Sequence, residues 1–174
     1  MTELEGAVLG TIWRRGRITA YEVRKRIMSS PTYAWSSSKG AIYPAIDRLI
    51  KAAYLKAESA RDGRAAKTLS VTRRGEAALR AWVEHLEVWM GDATADPVRT
   101  RINHLAVLAP KQRRTYVEEA QGLCRAALQR LAAYAPTPPP PPDQWAFDTA
   151  MLGAKMEIEA RIRWLEAVRD SLPA

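Results

Sequence analysis

Apolar positions in the early part of the chain recur at helical spacing. From residue 4 to residue 14 they lie three or four positions apart, which predicts a helix with one buried side, ended by Gly16. Thr19 and Glu22 have the spacing of a capping box, in which each side chain binds the backbone amide of the other residue. A second helix is therefore expected to begin here and to end before Pro31.

The third predicted helix has four apolar residues on one side: Ile42, Ala45, Ile46 and Leu49. One of the serines at positions 36 to 38 is expected to cap it. Tyr43 and Lys51 lie on the opposite, exposed side at 100° per residue. Because Pro44 removes the hydrogen bond to the Gly40 carbonyl, we expect a loose or kinked first turn.

Beyond Tyr54 the pattern changes from helical to extended. Leu55–Glu58 and Lys67–Val71 are predicted strands, and the Asp-Gly step between them is a hairpin-turn signal. Thr72 is expected to cap a fourth helix, whose apolar stripe extends to residue 90. That stripe comprises Leu79, Trp82, Val83, Leu86, Trp89 and Met90. Three helices, a hairpin and a further helix, in this order, are the arrangement of a winged helix-turn-helix.

The second half of the chain has helical patterns only. A short helix is expected to begin with Pro97 and a longer one with Pro110, since proline is favoured in a first turn. The longer helix is expected to bury Val117, Ala120, Leu123, Cys124, Ala127 and Leu131. The proline-rich stretch 136–143 is expected to form a stiff polyproline spacer.

The last predicted helix carries apolar residues at seven-residue intervals, namely Met151, Ile158, Leu165 and Leu172. A lone helix cannot bury such a seam, so it is expected to pack on another helix or on its own copy. The predicted fold class is therefore mainly α. A winged helix-turn-helix (three helices plus a β-hairpin wing) in residues 1–90 is followed by an α-helical dimerisation domain in residues 91–174.

Charge distinguishes these two predicted domains. The 174 residues carry a net charge of +8, and the excess is concentrated in the first domain. Residues 1–90 contain 16 Lys and Arg against 9 Asp and Glu, whereas residues 91–174 contain 11 against 10. Such asymmetry favours a nucleic-acid partner for the first domain. No helix there combines a basic face with a broad apolar face left free for lipid, so a membrane partner is not expected.

The residues that catalysis or metal binding would need are sparse. His85 and His104 are the only histidines and Cys124 is the only cysteine, too few for a standard structural zinc site. No nucleophile elbow, phosphate-binding loop or dinucleotide motif is present, so neither an enzyme nor a cofactor is expected. The single cysteine fits a reducing cytosol, and the chain has neither a secretory signal nor a run long enough for a bilayer span. A cytoplasmic protein is expected.

In a winged helix-turn-helix the third helix enters the major groove, the second braces on phosphates and the wing reaches the neighbouring backbone. The candidate DNA-binding residues therefore lie on three elements. They are Tyr21, Arg24 and Lys25 on the second helix, Ser37, Ser38, Lys39, Tyr43 and Lys51 on or before the third, and Arg64 and Lys67 on the wing. The alternative is that the same unit docks partner proteins and never binds DNA.

Three motifs resemble those of PadR-like transcriptional regulators. Ile42-Tyr43-Pro44-Ala45-Ile46-x-x-Leu49, followed by Tyr54-Leu55, is similar to the family's recognition-helix signature. Tyr21-Glu22-Val23 resembles the start of its second helix, and Val71-Thr72-Arg73-Arg74-Gly75 resembles its exit from the wing. The second half is similar to the helical domain of the longer, virulence-activator-type members. Ala53 departs from the pattern, since it stands where the family has glycine and would have to accept a conformation that glycine adopts more easily.

The resemblance implies a homodimer that binds a pseudo-palindromic operator, usually as a repressor, and is released by a small aromatic or cationic molecule. Candidate dimerisation residues lie on the fourth and last helices: Leu79, Trp82, Val83, Leu86, Met151, Ile158, Leu165 and Leu172. Trp89 and Trp145 are candidates for lining an effector pocket, and ordinary core or interface packing is the alternative for each.

Overall fold

The computed structural model describes residues 1–30, 40–59, 67–93, 95–134 and 143–173. The chain divides into two compact units, one built on Met1–Glu87 and the other on Val88–Thr137 and Trp145–Ala174. We call them the winged-helix unit and the helical unit. No helix of the described residues has both the length and the apolar character that a membrane crossing requires.

The described residues of the winged-helix unit form four helices and a three-stranded sheet. In chain order they are α1 (Glu3–Arg15), β1 (Ile18–Thr19), α2 (Ala20–Ser29), α3 (Ile42–Lys51), β2 (Leu55–Glu58), β3 (Thr68–Val71) and α4 (Arg73–Glu84). The capping box predicted for α2 is confirmed: Glu22 N donates to Thr19 Oγ1 at 3.2 Å, and Thr19 N donates to a Glu22 carboxylate oxygen at 2.8 Å. A second box, between Thr2 and Glu5, begins α1 in the same way.

The start of α3 differs from the prediction. Its N-cap is Ala41, which makes no side-chain capping bond, so the predicted serine cap is wrong. Pro44 is therefore the third helical residue, and the first hydrogen bond of the helix runs from Ala45 N to Ala41 O at 3.0 Å. The amides of a first turn have no partner within the helix, so the proline removes no bond there. The missing hydrogen bond on which we based the predicted kink at Pro44 is therefore not part of this helix.

The sheet has the antiparallel order β1-β3-β2. Its central strand pairs Leu69 with Ile18 on one side and with Ala57 on the other. The predicted hairpin strands are confirmed to within one residue, whereas β1 is too short for its pattern to signal a strand. The turn predicted at 61–64 lies outside the described residues.

The end of α4 also departs from the prediction. The helix ends at Glu84, because His85 adopts an extended conformation with φ −83° and ψ 114°. Leu86 then follows outside the helix and is 81% exposed, and Trp89 and Met90 lie in a separate 3-10 turn at Val88–Gly91. Residues 85–90 contain no glycine or proline that would indicate the end of the helix, and the sequence pattern therefore predicts a helix that is too long.

The helical unit consists of α5 (Pro97–Ile102), a 3-10 turn at Leu105–Val107, α6 (Pro110–Ala132) and α7 (Asp143–Asp170). Pro97 and Pro110 each begin their helix as predicted. The buried side of α6 comprises Val117, Ala120, Gln121, Cys124 and Leu131. Leu123 is predicted on this side but is 71% exposed, since it lies about 100° from the centre of the buried face.

The two halves of α7 have different surroundings. Its second half packs on α5 and α6 through the fully buried Leu165 and the half-buried Ile158 and Ile162. Leu172 follows the end of the helix and packs on the same cluster. The first half carries exposed apolar side chains instead, namely Trp145, Leu152 and Met156. The predicted spacer 136–143 lies outside the described residues except for Asp143, which begins the helix.

Candidate nucleic-acid interface

The exposed side of α3 is the centre of the candidate interface. Four buried residues, Ile42, Ala45, Ile46 and Leu49, hold the other side of α3 against the core. Tyr43 is 44% exposed, and Asp47 and Lys51 follow it along the helix at intervals of one turn. Because the aromatic ring is supported by a helix whose opposite face is fully buried, its position is fixed by the core of the unit.

The structure places the other predicted contacts as follows. On α2, Tyr21 is 62% exposed, Lys25 is exposed and Arg24 is half-buried. Lys67 is exposed immediately before β3. Ser37, Ser38, Lys39 and Arg64 lie outside the described residues, so their roles stay predictions.

A tight junction joins α3 to the sheet and to α4. Ala53 has a φ of 59°, so the unusual conformation expected for this residue is confirmed. Thr72 holds the turn, since its Oγ1 donates to Ala53 O at 2.7 Å and its N donates to Tyr54 O at 3.0 Å. The same hydroxyl accepts from Gly75 N at 3.0 Å and caps α4. One threonine thus fixes where α3 ends and where α4 begins.

An ion cluster around Glu58, at the end of β2 nearest the turn, was missed by sequence reasoning. The carboxylate of Glu58 on β2 pairs with Arg17, which precedes β1, and with Lys56 at 2.8 Å. The hydrogen bond from Lys56 and the charges of Arg17 and Lys56 lower the pKa of Glu58. Lys56 and Glu58 are two residues apart on one strand, a spacing that places them on one face. Arg17 is 41 residues from Glu58 in the sequence, so no local spacing indicates that the two residues pair.

The predicted dimerisation residues are used in different ways. Leu79 is buried in the core of the winged-helix unit, and Trp82 packs beside it with Nε1 donating to Glu3 Oε1 at 3.2 Å. Leu165 is likewise buried within the helical unit, where the half-buried Ile158 and Leu172 pack against its cluster. Leu79 and Leu165 are therefore packed in the cores of their own units, and their predicted part in dimerisation stays a prediction.

The remaining candidates retain accessible apolar surface. Val83 is 64% exposed and Leu86 81%, while Met151 is half-buried. The two candidate effector residues, Trp89 and Trp145, are 54% and 75% exposed. Both tryptophans therefore have solvent-accessible rings.

The described residues contain no group of three His, Cys, Asp or Glu side chains placed to share a metal ion. Cys124 is buried on α6, and this burial raises the pKa of its thiol. It therefore packs as a small apolar side chain, as its position in the sequence predicted.

The fold defines a winged helix-turn-helix protein with a helical C-terminal unit. Residues 8–81 match the model of the transcriptional regulator PadR-like family. This winged-helix part, 74 of the 174 residues, is therefore similar to the PadR-like family of transcriptional regulators. No curated protein sequence matches the chain.

Solved structures of similar fold cover both units. PadR of Bacillus subtilis in complex with operator DNA has a TM-score of 0.79 at 18% identity, covering 99% of this chain and 100% of that one. PadR of the same organism in complex with p-coumaric acid has a TM-score of 0.74 at 18% identity, with 97% and 94% coverage. The virulence activator AphA of Vibrio cholerae has a TM-score of 0.70 at 18% identity, covering 98% of each chain. At 18% identity these comparisons establish a similar fold and nothing further.

Proposed function

We propose that this chain is a cytoplasmic, homodimeric repressor that binds a pseudo-palindromic operator and responds to a small molecule. The observation that carries the proposal is the exposed side of α3, where Tyr43 and Lys51 project from a helix buried on its other side. The unit that holds α3 is similar to a family of transcriptional regulators. No step of this function requires catalysis or a cofactor.

In this proposal each element has its own part in binding. The first residues of α3, with Ser37, Ser38 and Lys39 before it, read base edges in the major groove. Tyr21, Arg24 and Lys25 on α2 brace on the phosphates, while Lys67 and Arg64 of the wing and Lys51 of α3 add backbone contacts. The net positive charge of residues 1–90 supplies the affinity that does not depend on sequence.

The helical unit serves assembly and sensing in this proposal. The apolar residues exposed on the first half of α7, beside Met151, are covered by a second copy of the chain. A small aromatic or cationic effector binds near Trp89 or Trp145, whose rings are accessible. The p-coumaric acid bound by PadR of Bacillus subtilis, a protein of similar fold, supports an aromatic ligand.

Binding to DNA duplexes tests the proposal. Fluorescence anisotropy is measured with duplexes that tile the DNA upstream of the protein's own gene, and with a random duplex of equal length. We expect Tyr43→Ala to weaken binding to the best upstream duplex about tenfold to a hundredfold, which corresponds to about 1–3 kcal/mol of lost base discrimination. Binding to the random duplex should stay unchanged.

Two matched variants separate ring contacts from charge. Tyr43→Phe retains the ring and should keep most of the discrimination. Lys67→Ala should weaken binding to both duplexes alike and reduce the salt slope by about one unit. A protein that binds no duplex at low salt, yet captures a partner protein without nucleic acid, would instead be the winged-helix adaptor considered above.

A further inference from the structure

A carboxylate from α1 binds an arginine on the candidate recognition helix. Arg48 Nε of α3 donates to Glu5 Oε1 at 2.5 Å. The other oxygen of the same carboxylate, Oε2, accepts from Thr2 N at 2.9 Å in the capping box of α1. Glu5 is thus held from two sides, and its side chain is only 13% exposed, whereas that of Arg48 is 56% exposed.

The electrostatics keep this pair charged. Burial raises the pKa of Glu5, but the hydrogen bonds from Arg48 and Thr2 and the charge of Arg48 outweigh it, so the pKa is lowered. Glu5 is therefore ionised at neutral pH, and it neutralises the guanidinium that it binds. An arginine bound in this way contributes less to attraction of phosphates than an unpaired one.

Arg48 lies at the edge of the candidate reading face, on the side away from Tyr43. At 100° per residue, Tyr43, Asp47 and Lys51 fall within an arc of about 80°. Arg48 lies about 140° from Tyr43 and about 60° from Lys51, at the edge of this arc where α3 contacts Glu5 of α1. Within the described residues, Asp47 and Lys51 form no ion pair, so Arg48 is the charged residue of α3 that is tied to another helix.

We propose that Glu5 and Arg48 form a positioning pair, in which Glu5 keeps Arg48 away from DNA and fixes α3 against α1. Operator specificity then depends on a contact that does not itself touch DNA. The pair orients Tyr43 and Lys51 relative to the rest of the winged-helix unit. This inference rests on the proposed function, since it requires α3 to be the helix that reads the operator.

Three variants test the pair in the full-length protein: Glu5→Gln, Arg48→Gln and the double variant. The probes are the best upstream duplex and a random duplex, titrated over a range of salt concentrations. Glu5→Gln releases Arg48, so random-duplex binding should tighten and the salt slope should steepen by about 0.9. The ratio of specific to random affinity should fall about tenfold.

The arginine variants give the opposite pattern. Arg48→Gln should leave the salt slope at the wild-type value while lowering the specificity ratio, because the guanidinium is withheld from phosphates. The double variant should behave like Arg48→Gln, since Glu5 has no arginine left to release. Arg48→Lys keeps a cation beside Glu5 and should retain most of the ratio. It also provides a readout if Arg48→Gln fails to fold.

A charge-matched control is available on α4. Glu76 is exposed there, and Glu76→Gln changes the net charge by the same amount as Glu5→Gln without affecting the pair. Glu76→Gln should keep the wild-type ratio of specific to random affinity and the wild-type salt slope.

Two outcomes would overturn the inference. A flatter salt slope for Arg48→Gln would show that Arg48 contacts a phosphate, and unchanged specificity ratios for Glu5→Gln and Arg48→Gln would show that the pair does not position α3. If the wild-type protein binds no duplex, the proposed function fails as well, so the two failures are distinguishable.

Discussion

The two units of this chain differ in how completely they bury their own apolar surface. In the winged-helix unit, α1, α2, α3, α4 and all three strands contribute to one core. In the helical unit the buried cluster is smaller: Leu105, Val117, Ala120, Cys124 and Leu165. The first half of α7 contributes no residue to this cluster, although the helix has 28 residues and is about 42 Å long.

This difference indicates how each unit is stabilised. A small unit whose every element enters one core can fold from its own residues. A long amphipathic helix whose first half has no apolar partner among the described residues is expected to be stabilised by another surface. The winged-helix unit is therefore expected to be sensitive to internal changes, and the helical unit to be sensitive to assembly.

The largest expected effect is at Gly75 in the winged-helix unit, and Gly153 in the helical unit provides the contrast. A Cβ on Gly75 would lie 2.1 Å from the backbone oxygen of Tyr54, and a backbone neighbour cannot rotate away. Gly75→Ala should therefore destabilise the winged-helix unit by about 3 kcal/mol. Gly153→Ala on α7 should stabilise its helix by about 0.5–1 kcal/mol, since among the described residues no heavy atom outside the helix's own backbone lies within 4 Å of the added Cβ.

Calorimetric unfolding of both variants measures this contrast. A Gly75→Ala protein with wild-type stability would show that the junction with Tyr54 is loose. If Gly153→Ala is destabilising, the second copy proposed to cover this half of α7 contacts the glycine itself, because the described residues leave the position open.

The second prediction concerns the exposed stripe on α7. Leu152 is 54% exposed within its own chain, and Leu152→Glu would place a charge where we propose that a second copy packs. The dissociation constant of the dimer should rise about thirtyfold, equivalent to about 2 kcal/mol. Analytical ultracentrifugation measures this change.

Leu123→Glu is the matched control. Leu123 is 71% exposed on α6, away from the proposed seam, so the dimer should persist in this variant. Dissociation caused by Leu123→Glu alone, with Leu152→Glu still dimeric, would move the interface from α7 to α6.

Sequence patterns predicted the winged-helix unit well because its signals are local. The Thr19–Glu22 box, the Thr72 cap and the strand Leu55–Glu58 each depend on residues within a few positions of one another. The strained Ala53 was also predictable, since a resemblance to glycine-containing relatives marked the position. Local patterns do not show how long a helix continues, and α4 therefore ends six residues before the predicted stripe does.

Contacts between distant segments could not be predicted. Glu5 and Arg48 are 43 residues apart, and Arg17 and Glu58 are 41 apart, so no spacing rule links them. On α6, the sequence pattern predicts the wrong residue on the buried side, and the reason is different. Hydrophobicity favoured Leu123 over Gln121, yet the helix phase that buries Val117 and Cys124 also buries Gln121 and exposes Leu123.

The smallest prediction concerns that buried glutamine. Gln121 is 2% exposed, and its Nε2 has no hydrogen-bond partner among the described residues. A buried amide donor without a partner has lost its hydration with no compensating bond. Gln121→Leu, with a side chain of similar size, should therefore stabilise the helical unit by about 1 kcal/mol.

A second glutamine on the same helix supplies the control. Gln112 Oε1 accepts from Ala109 N at 2.9 Å at the start of α6, so Gln112→Leu should destabilise the unit by about 0.5–1.5 kcal/mol. Chemical unfolding of the two variants should thus shift in opposite directions. If Gln121→Leu is destabilising as well, the amide is bound in the protein in solution. Its acceptor then lies outside the described residues, and exchange of the buried amide protons at increasing protein concentration would distinguish a second copy from a bound water.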